Sequence, residues 1–225
     1  MNIEENIKEF QSFLADKNCR LIAVSKTKPV SAIQLAYDAG QRDFGENKVQ
    51  ELRDKQPQLP ADLRWHMIGH LQTNKVKYIA PYVHLIHSID SFKLLEEVDK
   101  QAIRNNRVIS CLLQVHIAEE ETKFGFHEVE LEQLLTSEEF KALRNIKIIG
   151  LMGMATFTEN ENQIRKEFRN LKELFNRLSK KLISPNIDWR ELSMGMSGDY
   201  QIATEEGSTM IRVGSSIFGE RNYQI

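Results

Sequence analysis

The chain has 225 residues, with 30 lysines and arginines against 32 acidic residues, and a mean hydropathy of −0.43. A net charge of −2 gives no support for a nucleic-acid or membrane-surface role; no apolar run approaches a membrane span, and Met1-Asn2-Ile3-Glu4-Glu5 lacks the basic start of a signal peptide. The two cysteines, Cys19 and Cys111, form no Cys-x-x-Cys pair, so the expected setting is a reduced cytoplasm and no disulfide is required.

Ile3, Ile7, Phe10 and Leu14 recur at helical spacing, predicting an amphipathic N-terminal helix within residues 1–18. Leu21 to Lys26 then reads as a first strand. Pro29 suits the first turn of a helix with an apolar stripe of Val30, Ile33 and Tyr37, which Gly40 ends. The alternation recurs from there. Strands are predicted at Arg42–Gly45, Arg64–Gly69, His84–Ile89, Val108–Ile117, Ile146–Met154, near Arg190–Ser193 and at Thr209–Val213. Between them fall helices at Asn47 to about Lys55, Leu71–Ile79, Phe92 to about Asn105, around Glu128–Leu135, and Asn162–Leu182.

Eight short strands alternating with helices argue for an α/β fold with a parallel sheet. Eight such units closing on themselves make a (β/α)8 TIM-type barrel, and the length lies within that fold's range. An open doubly wound sheet is the alternative. The absence of a Gly-x-Gly-x-x-Gly after strand one and of a Walker lysine loop weakens its nucleotide-binding form. With no linker or repeat in view, residues 1–225 are expected to form one domain.

Lys26 shares alternation parity with Ile22 and Val24, so an extended strand would project all three to one face. If that face is apolar, the ammonium is partly desolvated and pushed towards a nucleophilic amine, the condition for Schiff-base chemistry. The plainer alternative is a strand that ends with Lys26 reaching into water. After strand seven comes Met194-Gly195-Met196-Ser197-Gly198-Asp199, and after strand eight Gly214-Ser215-Ser216. In a barrel these two loops are where phosphate commonly binds, although small residues also make tight turns. Arg212 lies inside an apolar strand, either turned out to a helix carboxylate or turned in to a ligand. Asn47, after strand two, is a ligand contact or a helix N-cap.

The histidines give no metal motif. His66 and His70 are interrupted by Gly69, His84 and His87 have opposite parity, and there is no His-Glu-x-x-His, so no metal site is expected. Glu119-Glu120-Glu121 reads as a solvated loop.

Taken together, several segments are specific. They are Ala23-Val24-Ser25-Lys26-Thr27-Lys28-Pro29, Phe44-Gly45-Glu46-Asn47, Trp65-His66-Met67-Ile68-Gly69, Gly150-Leu151-Met152, Leu192-Ser193-Met194-Gly195-Met196-Ser197, and the run from Gly207 to Gly219. On them the chain resembles the pyridoxal phosphate homeostasis proteins, relatives of the barrel domain of alanine racemase, from strand one to the C-terminus. His70 departs from the proline found in many members. The resemblance implies that Lys26 holds pyridoxal 5′-phosphate as an internal aldimine and that Asn47 lies beside the ring. It places the phosphate on Ser197, Gly214 and Ser215, and Arg212 at the pyridine nitrogen. A guanidinium cannot accept a proton there, so carbanion chemistry is weakly assisted. The racemase relatives carry a second domain with an opposing tyrosine base, and this chain stops twelve residues after Val213. The expectation is therefore a monomeric holder that buffers the cofactor or delivers it to apo-enzymes. The alternatives are an amino-acid racemase of low activity and, more distantly, an aldolase.

Overall fold

A computed structural model of the chain describes residues 2–119 and 124–220. Eight strands run parallel in sequence order around a closed barrel: β1 (Arg20–Val24), β2 (Asp43–Glu46), β3 (Arg64–Met67), β4 (Leu85–Ile89), β5 (Ile109–Gln114), β6 (Ile146–Met152), β7 (Ile187–Ser193) and β8 (Met210–Val213). β8 closes the ring on β1, with Ile22 opposite Arg212 and Ala23 opposite Val213. The open-sheet alternative is thereby excluded.

The helices are α1 (Ile3–Leu14), α2 (Val30–Asp38), α3 (Val49–Lys55), α4 (Val76–Ile79), α5 (Phe92–Arg104), α6 (Glu128–Thr136), α7 (Glu138–Ala142), α8 (Glu161–Lys181), α9 (Tyr200–Glu205) and α10 (Ser215–Phe218). Strand alternation separates two cores. Leu21, Ala23, Phe44, Trp65, Leu192, Ile211 and Val213 join the layer between barrel and helices. Ile22, Leu85, Leu112, Ile149, Met152 and Met210 fill the interior.

The N-terminal helix forms as its spacing predicts. Asn2 accepts hydrogen bonds from the Glu4 and Glu5 amides, and Ile7, Phe10 and Leu14 are buried. Phe10 and Phe13 meet Tyr200 edge-on, and Asn6 donates to the Ile217 carbonyl at 2.9 Å, which fixes α1 against α9 and α10.

Four expectations shift. β1 ends at Val24, so Lys26 sits in the following turn and not on the strand. The predicted Leu71–Ile79 helix is a 3-10 turn, Thr73–Lys75, followed by the single turn of α4. β7 starts at Ile187, because the exposed Asp188 and Arg190 disguise its outer half as a turn. α7 was not foreseen, as five residues around one buried Phe140 carry no period. Glu120 and Glu121 of the acidic run lie outside the described residues; Glu119 is exposed as expected. No helix among the described residues is long and apolar enough to cross a membrane.

Candidate functional site

The turn after β1 is closed by the Lys28 amide donating to the Ser25 carbonyl at 3.0 Å, with Thr27 at φ 64°. A β-branched residue in that left-handed region is strained, and the backbone around it is correspondingly over-determined. The Thr27 amide donates to Glu51 Oε2 at 2.6 Å. Lys55, buried between α3 and the barrel, donates to the Ser25 carbonyl at 2.9 Å, to Glu46 Oε1 at 2.8 Å and to Glu51 Oε2 at 2.9 Å. Ser25 Oγ adds a 2.7 Å bond to Glu46. Burial pushes the Glu46 carboxyl up against the pull of Lys55. This clamp holds the half-buried Lys26 at the end of β1, on the mouth side of the interior residue Ile22. Lys28, the other lysine of the turn, is committed elsewhere: its ammonium donates to the carbonyls of Phe218, Gly219 and Glu220 at 2.9–3.0 Å.

Asn47 follows β2 and is half-buried. It is not the helix N-cap, since α3 is capped by Lys48 without a side-chain bond. The loop after β3 presses on it so closely that a Cβ on Gly69 would lie 2.4 Å from the Asn47 carbonyl oxygen. Only glycine allows that approach.

Arg212 turns inward. It is 5 % exposed, and it donates to Ser193 Oγ at 2.6 Å and to the Gly153 carbonyl at 3.1 Å. Burial brings its pKa down to about 10, with Asp199 acting to raise it. It therefore stays charged at neutral pH. Two residues on, the Gly214 amide donates to Ser197 Oγ at 3.3 Å, so the loops after β7 and β8 are tied together. Gly195 has φ 97°, and its Cβ position would fall 2.5 Å from Ala203, which bends the first of these loops tightly into α9. A Cβ on Gly198 would meet nothing within 4 Å, so space lies open above the loop. Gly214 caps α10, and Ser215 and Ser216 begin it, where first-turn amides have no intrahelical acceptor.

In ring order the loops after β7, β8, β1 and β2 are neighbours. Ser197, Gly214 with Ser215, Lys26 and Asn47 thus occupy one arc of the carboxyl-end rim, with Arg212 below it. A cleft of about 290 Å³ flanks Asn47 and is walled by Lys48, Arg53, His70, Lys75 and Tyr78.

Sequence reasoning missed a second polar group, at the opposite end of the barrel. Among the described residues, Asp43, His66 and His84 bring ligand-type atoms within 4.8 Å of one another. His84 precedes β4, so strand parity does not govern it, and its ring lies 5.3 Å from that of His66. Arg64 engages both Asp43 oxygens, at 2.7 and 2.6 Å, while His66 Nε2 lies 2.9 Å from Asp43 Oδ1. The carboxylate is thereby already committed to an ion pair.

The chain matches the family model described as alanine racemase, N-terminal domain, over residues 1–222. It is similar to the pyridoxal phosphate homeostasis protein of Aquifex aeolicus, with 43% identity over 209 residues, 92% of this chain and 90% of that one. PipY of Synechococcus elongatus, solved with PLP bound, superposes with a TM-score of 0.87 at 37% identity, covering 96% of this chain and 100% of PipY. An alanine racemase from Streptomyces lavendulae shares the fold, with a TM-score of 0.79 at 14% identity over 98% of this chain and 57% of that one.

Proposed function

We propose that this chain, which belongs to the alanine racemase N-terminal domain family and to the pyridoxal phosphate homeostasis proteins, holds pyridoxal 5′-phosphate at its carboxyl-end rim. Arg212 carries the reading. It is a buried guanidinium, charged at neutral pH, that engages Ser193 and Gly153 with two of its five N–H groups, two residues before the loop tied to Ser197. The residues fit the group. Ser197, Gly214 and Ser215 offer hydroxyl and amide donors beside open space for a phosphate dianion, and Asn47 flanks the place of the ring. Lys26 would supply the amine that holds the cofactor's aldehyde as a Schiff base, with water as the other product. Lys28 is held on backbone carbonyls and does not compete.

Arg212 would offer the ring nitrogen a donor and no proton-accepting lone pair, which would weaken the electron-sink chemistry that the cofactor supplies when bound. That disfavours transamination and leaves proton exchange at Cα as the reaction an enzyme of this kind would perform; holding, buffering and delivery to apo-enzymes is the reading we put first. Residues 1–225 act in this as one domain, and the free, buried Cys19 and Cys111 suit a reducing compartment.

The test is a spectrum and a peptide map. Protein loaded with the cofactor is expected to turn yellow, and borohydride to fix the label on Lys26. A chain that stays colourless and binds no added cofactor overturns the reading, and a label on Lys28 overturns the assignment of the amine. Loaded protein incubated with single-enantiomer amino acids in deuterated water separates holder from enzyme. Transfer to an apo-enzyme without Cα exchange is expected, whereas rapid exchange with inversion would make the chain a racemase of low activity.

A further inference from the structure

A line of hydrogen bonds crosses the barrel from its amino end to Arg212. His66 Nε2 meets Asp43 Oδ1 at 2.9 Å, His66 Nδ1 meets His87 Nε2 at 2.9 Å, and His87 Nδ1 meets Ser193 Oγ at 2.9 Å. Arg212 closes the line on the same Ser193 oxygen at 2.6 Å. His66, His87 and Ser193 are fully buried, and the step from β4 to β7 spans the interior. Both nitrogens of each histidine and the Ser193 oxygen have protein partners along this line.

Its direction follows from donor and acceptor chemistry. Asp43, held by Arg64 and His66 well below the usual carboxylate range against the cost of burial, is ionised and only accepts. His66 therefore carries its proton on Nε2. Burial keeps its ring neutral, so Nδ1 has a lone pair and needs a donor, which is His87 Nε2–H. His87 is kept neutral in the same way, so its Nδ1 accepts from the Ser193 hydroxyl. The Ser193 oxygen, with its proton spent, accepts from Arg212. Every bond points from Arg212 towards Asp43.

We propose that Asp43, His66, His87 and Ser193 are positioning residues that lock Arg212 in one orientation through a single, one-way order of protons. This rests on the reading that Arg212 faces a bound pyridine ring, and it adds what holds the guanidinium there. Reversing the tautomers would leave the Ser193 oxygen with two donors and its own proton without an acceptor inside a dry barrel, which is costly. Asp43→Asn removes the negative charge that holds the His66 proton on Nε2, so the order of protons rests on the Ser193 and Arg212 end alone. A catalytic triad loses its working tautomer in the same way when its aspartate becomes asparagine.

The experiment uses the full chain without cofactor first. Two-bond proton–nitrogen spectra of histidine-labelled protein are expected to show His66 and His87 both protonated on Nε2, and Arg212 Nη protons in slow exchange. Asp43→Asn should raise the Nδ1–H share of both rings above that of the wild type. Ser193→Ala should speed exchange at Arg212, and Ser193→Thr should restore it. Wild-type rings in the Nδ1–H form, tautomers unmoved by Asp43→Asn, or unchanged Arg212 exchange in Ser193→Ala would each overturn the proposal. Cofactor titration follows: Ser193→Ala should weaken binding about ten- to a hundredfold and shift the visible band, with rescue by Thr. An unaltered band and affinity would overturn the positioning role. Failure of the wild type to bind cofactor would overturn the function above while the tautomer order remained decided by the first arm.

Discussion

Lys55 supports the turn that presents Lys26, yet nothing in its sequence neighbourhood distinguishes it from a solvated helix lysine. Its three acceptors come from positions 4, 9 and 30 residues away. Lys55→Met would leave the Glu46 carboxylate buried without its cation, a loss of about 3–5 kcal/mol for a broken buried pair. Adding Glu46→Gln removes the orphaned charge, keeps an acceptor for Ser25, and should recover a large part of that loss. Urea titration measures both, and a Lys55→Met variant within about 1 kcal/mol of wild type would show the clamp to be dispensable. Lys26 and Arg212 stood out as candidates because a charged residue inside or just after an apolar run breaks a local pattern. Asn47 was not resolved, because an asparagine before a helix reads equally as a cap or a contact. The structure removes the cap by starting α3 at Val49.

At the scale of elements, the loops are more exacting than the strands they follow. The Ile68-Gly69 segment packs on the Asn47 backbone, and a methyl group at position 69 would fall 2.4 Å from a carbonyl oxygen and 2.7 Å from Asn47 Cα. Backbone cannot yield as a flexible side chain does, so Gly69→Ala must move one loop away from the other. The expected result is a folded barrel about 1–3 kcal/mol less stable, with weakened cofactor binding. Calorimetry with a cofactor titration checks it, and unchanged affinity would mean that Asn47 lies outside the ring's contacts. The helix–strand order was readable because apolar period switches from 3.6 to 2 along the chain. Ends were less readable: strands stop where pairing stops, and the apolar residues Val115 and Ile117 continue past β5 into the covering layer.

Over the whole molecule, eight alternating units sufficed to indicate a closed barrel, because each strand's two faces are written in its residues. The content of the interior was not legible. Parity tells which side chains point inward, but not that His66 meets His87, 21 residues on, or that His87 meets Ser193, 106 residues on. That buried line gives the molecule an acid sensitivity. Burial holds the His66 and His87 rings below their ordinary values, with Arg20, Arg64 and Arg212 adding like charge and Asp43 opposing. The unfolded chain takes up protons on both rings near pH 6.5 while the folded chain does not, so unfolding consumes protons. Their contribution is complete above that pH and is lost as pH falls through it towards the folded values. Asp43, lowered, adds a loss that begins only below the ordinary aspartate range. Glu46, raised, acts the other way, since its carboxyl favours folding at low pH and gives that up as pH rises through its folded value. With His84, whose pKa burial lowers to about 4, three imidazoles stand against one carboxyl, and the net direction is destabilising between pH 7.5 and pH 5. The urea midpoint should therefore fall across that interval with the shape of the unfolding curve preserved. A midpoint that holds level or rises towards pH 5 would mean that the rings titrate in the folded barrel as they do in the open chain.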